Sequence, residues 1–67
     1  MPIIHIEIAR GRTADQLQEL GSRVSRAAAE SLSVSESTVR VLVSEVDPAL
    51  WFSGGQSLAE KRRSPTP

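Results

Sequence analysis

The chain has no cysteine and a single histidine, His5, among its 67 residues. Disulfides and thiolate metal sites are therefore excluded, and with them the usual framework of a small secreted scaffold. One histidine cannot hold a zinc ion. No H-x-x-x-H spacing or carboxylate cluster accompanies it, so neither a metal nor a cofactor is expected. Trp51 and Phe52 are the only aromatic residues, too few for a base-stacking platform. Eight Lys and Arg balance eight Asp and Glu, which leaves no electrostatic footprint for nucleic acid or an anionic membrane. No apolar run approaches the ~20 residues needed to cross a bilayer. The opening Met-Pro-Ile-Ile-His-Ile-Glu-Ile carries neither the basic n-region nor the small-residue cleavage site of a signal peptide. A cytoplasmic protein is the expectation.

Length adds a further constraint. A domain this small hides only about 60% of its unfolded surface when it folds alone, and its core rarely supplies more than ~3–5 kcal/mol. Without disulfides or a metal, association with other chains is left as the reinforcement. The sequence shows no internal repeat and no linker. Residues 1–63 read as one domain, and 64–67, with two prolines, as a disordered tail.

What is present reads as strand, helix, strand. Ile4, Ile6 and Ile8 alternate with Ile3, His5 and Glu7, the period of a β-strand. Gly11 then breaks the pattern. Thr13-Ala14-Asp15-Gln16 is a capping-box sequence, with Asp15 suited to the positive end of a helix dipole. Beyond it Leu17, Leu20, Val24, Ala27, Ala28 and Leu32 recur at three- and four-residue steps, predicting an amphipathic helix over about 14–32. Gly21 lies on its apolar side, either allowing close approach to a sheet or simply tolerated at about 1 kcal/mol. Ser33–Ser37 is a polar connection, and Thr38–Val46 is the second strand. In that strand Val39, Val41 and Val43 oppose Arg40, Leu42, Ser44 and Val46. Asp47-Pro48 ends it. Gly54-Gly55 supplies the positive φ of a tight hairpin or a bulged loop, residues 56–60 a further short strand, and Lys61–Pro67 a frayed basic tail.

Two strands and a helix make the smallest βαβ unit, whose crossover should be right-handed. They cannot cover a sheet on both faces, and both strand edges are open to aggregation. The expected fold class is α+β: a β-α-β protomer with a C-terminal hairpin, its sheet completed to four strands by a second copy.

Four features coincide in this frame: Pro2 directly after Met1, Gly11-Arg12 before the helix, Arg40 inside the second strand, and Trp51 before Gly54-Gly55. Together with Ile-Glu-Ile-Ala-Arg-Gly-Arg-Thr, Thr-Val-Arg-Val-Leu-Val-Ser-Glu-Val and Trp-Phe-Ser-Gly-Gly, they make the chain resemble the 4-oxalocrotonate tautomerase family, from residue 2 to about 63. The resemblance implies a tautomerase fold and a homohexamer built as a trimer of dimers. It also implies removal of Met1, which leaves Pro2 with a free secondary amine. That amine would act as general base, moving a proton within a small unsaturated acid such as a 2-hydroxydienoate. An ordinary α-amino group has a pKa of about 7.7–8.0; an apolar pocket and nearby cations disfavour its charged form and poise it for proton transfer. By the same resemblance Arg40 holds one carboxylate and the adjacent carbonyl, stabilising the enolate as it forms. Arg12 holds the distal carboxylate through a bidentate fork, and Trp51 closes the pocket.

Each residue also has a plainer reading. Arg12 suits a solvated turn and Trp51 an interface or core anchor. A charge such as Arg40 in a valine-rich strand needs a partner or a pocket. His5 is an outward strand residue, and Glu7 and Glu45 belong to surface or interface ion pairs. Family members commonly read aromatic-Gly-aliphatic-Gly-Gly where this chain has Trp51-Phe52-Ser53-Gly54-Gly55, so Phe52 bears on substrate range. Two other activities compete. A hydratase or dehalogenase of the same superfamily wants an acid near the aromatic, and residues 49–57 contain none. A non-catalytic subunit would keep the fold without the free amine. Length sets one more expectation: Pro2 and Arg12 lie beyond opposite ends of the first strand, so a site using both draws them from different chains.

Overall fold

The computed structural model describes residues 1–63. The tail expected at 64–67 lies outside the described residues. Strand β1 (Ile3–Ala9) is followed by helix α1 (Ala14–Leu32), strand β2 (Arg40–Val46), a two-strand hairpin of β3 (Phe52–Ser53) and β4 (Gln56–Ser57), and helix α2 (Leu58–Arg63).

β1 and β2 pair in parallel, from Ile3 opposite Arg40 to Ala9 opposite Val46. The alternation in the sequence sets their faces. Ile4, Ile6, Ile8, Val41 and Val43 are half-buried on the α1 side, while Ile3, His5, Glu7, Arg40, Leu42 and Ser44 are exposed on the other. α1 starts where the capping box puts it. Thr13 Oγ1 accepts from Gln16 N at 3.1 Å, and Gln16 Oε1 accepts from Thr13 N at 3.0 Å. These bonds satisfy donors that a helix start leaves unpaired. The helix ends at Ser33, which takes the left-handed conformation at φ 54° and ψ 45° without being glycine. Its apolar stripe runs through half-buried Leu17, Leu20, Val24 and Ala28 and buried Ala29; Ala27 and Leu32, expected on that stripe, are exposed. Gly21 does not serve close approach within the protomer, since a Cβ there would meet nothing within 4 Å.

Two boundaries differ from the sequence reading. Thr38 belongs to a short 3-10 turn (Glu36–Thr38), and β2 begins at Arg40. The cause is local: Ser35 Oγ accepts from Ser37 N, and Thr38 donates both its N–H and its hydroxyl to Ser35 O at 3.0 and 2.7 Å. Such bonds compete with strand formation. Residues 56–60 are strand only at Gln56–Ser57, and Lys61–Arg63 are helical rather than frayed. Buried Ser57 accepts from Glu60 N at 3.1 Å through its hydroxyl, which starts α2.

The hairpin turn is as expected. Gly54 and Gly55 have φ of 64° and 82°, the two positive values of a type I′ turn. Leu58 N donates to Trp51 O at 2.7 Å across its base. The protomer is drawn out to 46 × 24 × 20 Å, with a radius of gyration of 15.5 Å, against about 11 Å for a compact chain of this length.

Candidate active site

The register of the sheet decides which candidate residues meet. At its start Pro2 accepts through its carbonyl from Arg40 N at 3.0 Å, so the two backbones are adjacent rungs. Their side chains part. Pro2 is half-buried and continues the alternation of Ile4, whereas Arg40 shares the exposed face with Ile3. Arg40 Nη1 donates to Ser37 O at 2.8 Å, which turns the guanidinium toward the 3-10 turn. Arg40, Val39 and Val41 border a broad groove of about 730 Å³ against Leu17 and Gly21 of α1.

Arg12 and Trp51 lie at the far end of the sheet. Arg12 follows Ala9 by three residues and lines a cleft of about 270 Å³ with Arg10 and Arg62. Trp51 follows Val46 by five residues. It borders a separate pocket of about 310 Å³ with Glu7, Val46 and Leu50. The seven residues of β1 separate Pro2 from this end by about 23 Å at ~3.3 Å each. One protomer therefore joins only the backbones of Pro2 and Arg40 at one end of the sheet and sets Arg12 and Trp51 at the other.

The remaining polar candidates are dispersed. His5 is exposed. Glu7 and Glu45 form no ion pair within the protomer; among the described residues the only one joins Arg23 to Glu19. No three His, Cys, Asp or Glu side chains among the described residues gather closely enough to hold a metal ion.

A family model described as tautomerase enzyme matches residues 2–61, from Pro2 to Lys61. The chain belongs to the tautomerase family. As a tautomerase it is an enzyme of the isomerase class. It is 38% identical over 63 residues to a 2-hydroxymuconate tautomerase of Pseudomonas sp. (strain CF600), covering 94% of this chain and 100% of that one. The crystal structure of TomN, a 4-oxalocrotonate tautomerase homologue in the tomaymycin biosynthetic pathway, superposes with a TM-score of 0.93 at 40% identity, over 97% of this tautomerase and all of TomN. A heterohexamer 4-oxalocrotonate tautomerase from Chloroflexus aurantiacus matches with a TM-score of 0.86 at 38% identity, over 90% and 97% of the two chains. The tautomerase fold expected for the protomer is thus shown.

Arg62 stands beside Arg12 in the cleft, a neighbour the sequence reading assigned to a frayed tail. The signal that points to it is Ser57-Leu58-Ala59-Glu60, a second S-x-x-E capping sequence. It starts the helix that carries Arg62 to the cleft.

Proposed function

We propose that this tautomerase moves a proton within a small 2-hydroxydienoate or related enol acid, with the free amine of Pro2 as general base after removal of Met1. Arg40 stabilises charge on the reacting enolate and its carboxylate, Arg12 holds the distal carboxylate, and Trp51 walls the pocket. The observation that carries this reading is the placement of Pro2 and Arg12 beyond opposite ends of β1. A substrate with two nearby carboxylates is too short to bridge about 23 Å. Antiparallel pairing of the β1 edges of two copies sets each Pro2 beside the other's Arg12 and completes a four-stranded sheet. Arg40 faces away from Pro2 within its own protomer, and antiparallel pairing leaves it at the end opposite the partner's Pro2, so it serves a base of another pair in the assembly.

The drawn-out shape supports a homohexamer, a trimer of dimers, because Leu50 and Phe52 stand exposed on the hairpin arm. The reading takes residues 1–63 as one domain in the cytoplasm, which cell fractionation tests.

The decisive experiment compares free and blocked N-termini. Mass spectrometry should find Pro2 first in the mature chain. Pro2→Ala, still an amine, should keep part of the activity on 2-hydroxymuconate, and one added N-terminal residue should abolish it, because an amide nitrogen has no basic lone pair. Equal activity of the blocked and free forms refutes the role of Pro2. A second reading, a non-catalytic subunit of a mixed assembly, draws on the Chloroflexus aurantiacus relative, which is described as a heterohexamer. Inactivity of the free-Pro2 chain alone, with activity gained on adding a sister chain, would favour it.

A further inference from the structure

β1 pairs with β2 on one side only, so its other edge has no strand beside it. The phase of its backbone bonds is fixed at both ends. Arg40 N donates to Pro2 O at 3.0 Å and Arg10 N donates to Val46 O at 2.8 Å, so the even-numbered residues of this segment bond β2. In a ladder the intervening residues turn their N–H and C=O groups the other way. Ile3, His5, Glu7 and Ala9 therefore present the free edge. The side chains of Ile3, His5 and Glu7 also stand exposed on the face that α1 leaves bare. Within the protomer the rung partner of His5 is Leu42 and that of Glu7 is Ser44. Neither group has an ion-pair partner among the described residues.

When two such edges pair antiparallel about a twofold axis, edge-facing residues must meet edge-facing residues, and a slip of one residue would also exchange the faces. Three registers satisfy this and keep most of β1 paired. One sets His5 opposite the partner's His5 and Pro2 opposite the partner's Ile8, which leaves the partner's Arg12 about 13 Å further along the chain. Another sets Glu7 opposite the partner's Glu7, and like charges on one rung destabilise a ladder. The third sets Ile3 opposite the partner's Ala9 and pairs the whole strand. It also faces His5 with the partner's Glu7 on two symmetric rungs, where each imidazole N–H can donate to a carboxylate. We propose, on the antiparallel β1 pairing given above, that His5 and Glu7 are positioning residues whose cross-strand pairs select this third register. It sets each Pro2 opposite the partner's Arg10, about 7 Å short of the partner's Arg12. An arginine side chain covers that gap.

Disulfide trapping in the full chain, which has no cysteine of its own, reads the register. Facing Cα atoms on a hydrogen-bonded rung lie ~5.5 Å apart, within disulfide reach, whereas diagonal neighbours at ~7–8 Å are beyond it. Ile3→Cys with Ala9→Cys in one chain should give covalent dimers, and His5→Cys or Glu7→Cys alone should not. Dimers from either single variant overturn the proposal and leave the β1 pairing standing. Dimers from none of the three refute the pairing itself, and the proposal with it. The charges are tested separately by light scattering in urea at the dissociation midpoint of the native chain. His5→Glu sets two carboxylates against each other on both rungs, and about tenfold more chain should be needed for the same assembled fraction. Adding Glu7→Lys restores opposite charges and should recover most of that loss. No loss in His5→Glu, or a loss that Glu7→Lys leaves unrepaired, overturns the proposal.

Discussion

Two inactive chains should regain activity when mixed. The first carries an extra residue before Pro2 and lacks a basic amine but keeps Arg12; the second carries Arg12→Ala but keeps the free amine. Pro2 and Arg12 flank the seven residues of β1, about 23 Å of extended chain, and an arginine side chain spans only a fraction of that length. A site that uses both takes Pro2 from one protomer and Arg12 from its partner. In a twofold pair each site has this composition. Random reassortment of equal amounts makes half of the pairs mixed. Every mixed pair holds one site with both intact groups and one with neither. About a quarter of all sites should therefore be complete, restoring about a quarter of the wild-type activity per chain. The assay follows the absorbance of a conjugated dienol after joint unfolding and refolding, with native mass spectrometry to verify mixed assemblies. No recovery in verified mixtures would show that a site draws both groups from one chain and would refute the reasoning.

The two assigned arginines should separate kinetically. Arg40→Ala should lower kcat by about 10²-fold, the usual cost of losing one donor to a developing oxyanion, while Arg12→Ala should act mainly on KM; the reverse pattern would exchange their roles. Thr13→Ala removes the hydroxyl that accepts from Gln16 N at 3.1 Å and should cost about 1 kcal/mol, measured by denaturant unfolding at fixed chain concentration. Light scattering should show a multiple of the 7.2 kDa chain; a monodisperse monomer would defeat both the shared site and the hexamer.

The elements with strong local signals were legible. β1 followed from the isoleucine alternation, and α1 from a capping box whose two hydrogen bonds both form. The start of β2 was not, because Thr38 is β-branched and continues the alternation, while the competing bonds to Ser35 are a three-residue event with no hydrophobic trace. The left-handed Ser33 at the end of α1 carries no marker either, since glycine normally takes that place. α2 was hidden by the basic and proline-rich residues after it, although Ser57 and Glu60 had the spacing of a cap. That miss propagated to the site. The separation of Pro2 from Arg12 required only a strand length, whereas the meeting of Arg10, Arg12 and Arg62 required knowing that α2 exists and where it turns back.

In the proposed reading, assembly and catalysis are linked through the same residues. Ala29 and Val39 are the only buried apolar side chains among the described residues, each 8% exposed, which is little core for a chain with no covalent or metal reinforcement. Ile3 and Leu42, on the face that α1 leaves bare, are 59% and 50% exposed, and Leu50 and Phe52 on the arm are 69% and 59% exposed. Covering the exposed part of each contributes roughly 1 kcal/mol, from ~1.5–3 kcal/mol for complete burial. The four together supply about 4 kcal/mol per protomer, comparable to the whole core of a domain this size. Ile3 is the strand neighbour of Pro2 and the rung partner of Arg40, and Leu50 lines the pocket of Trp51. The contacts that stabilise the fold therefore run through the neighbours of the proposed base, oxyanion donor and pocket wall. A protomer stable enough to persist alone would need those apolar residues replaced by polar ones. The substitutions that free it from its partners would then remove the walls of its own site.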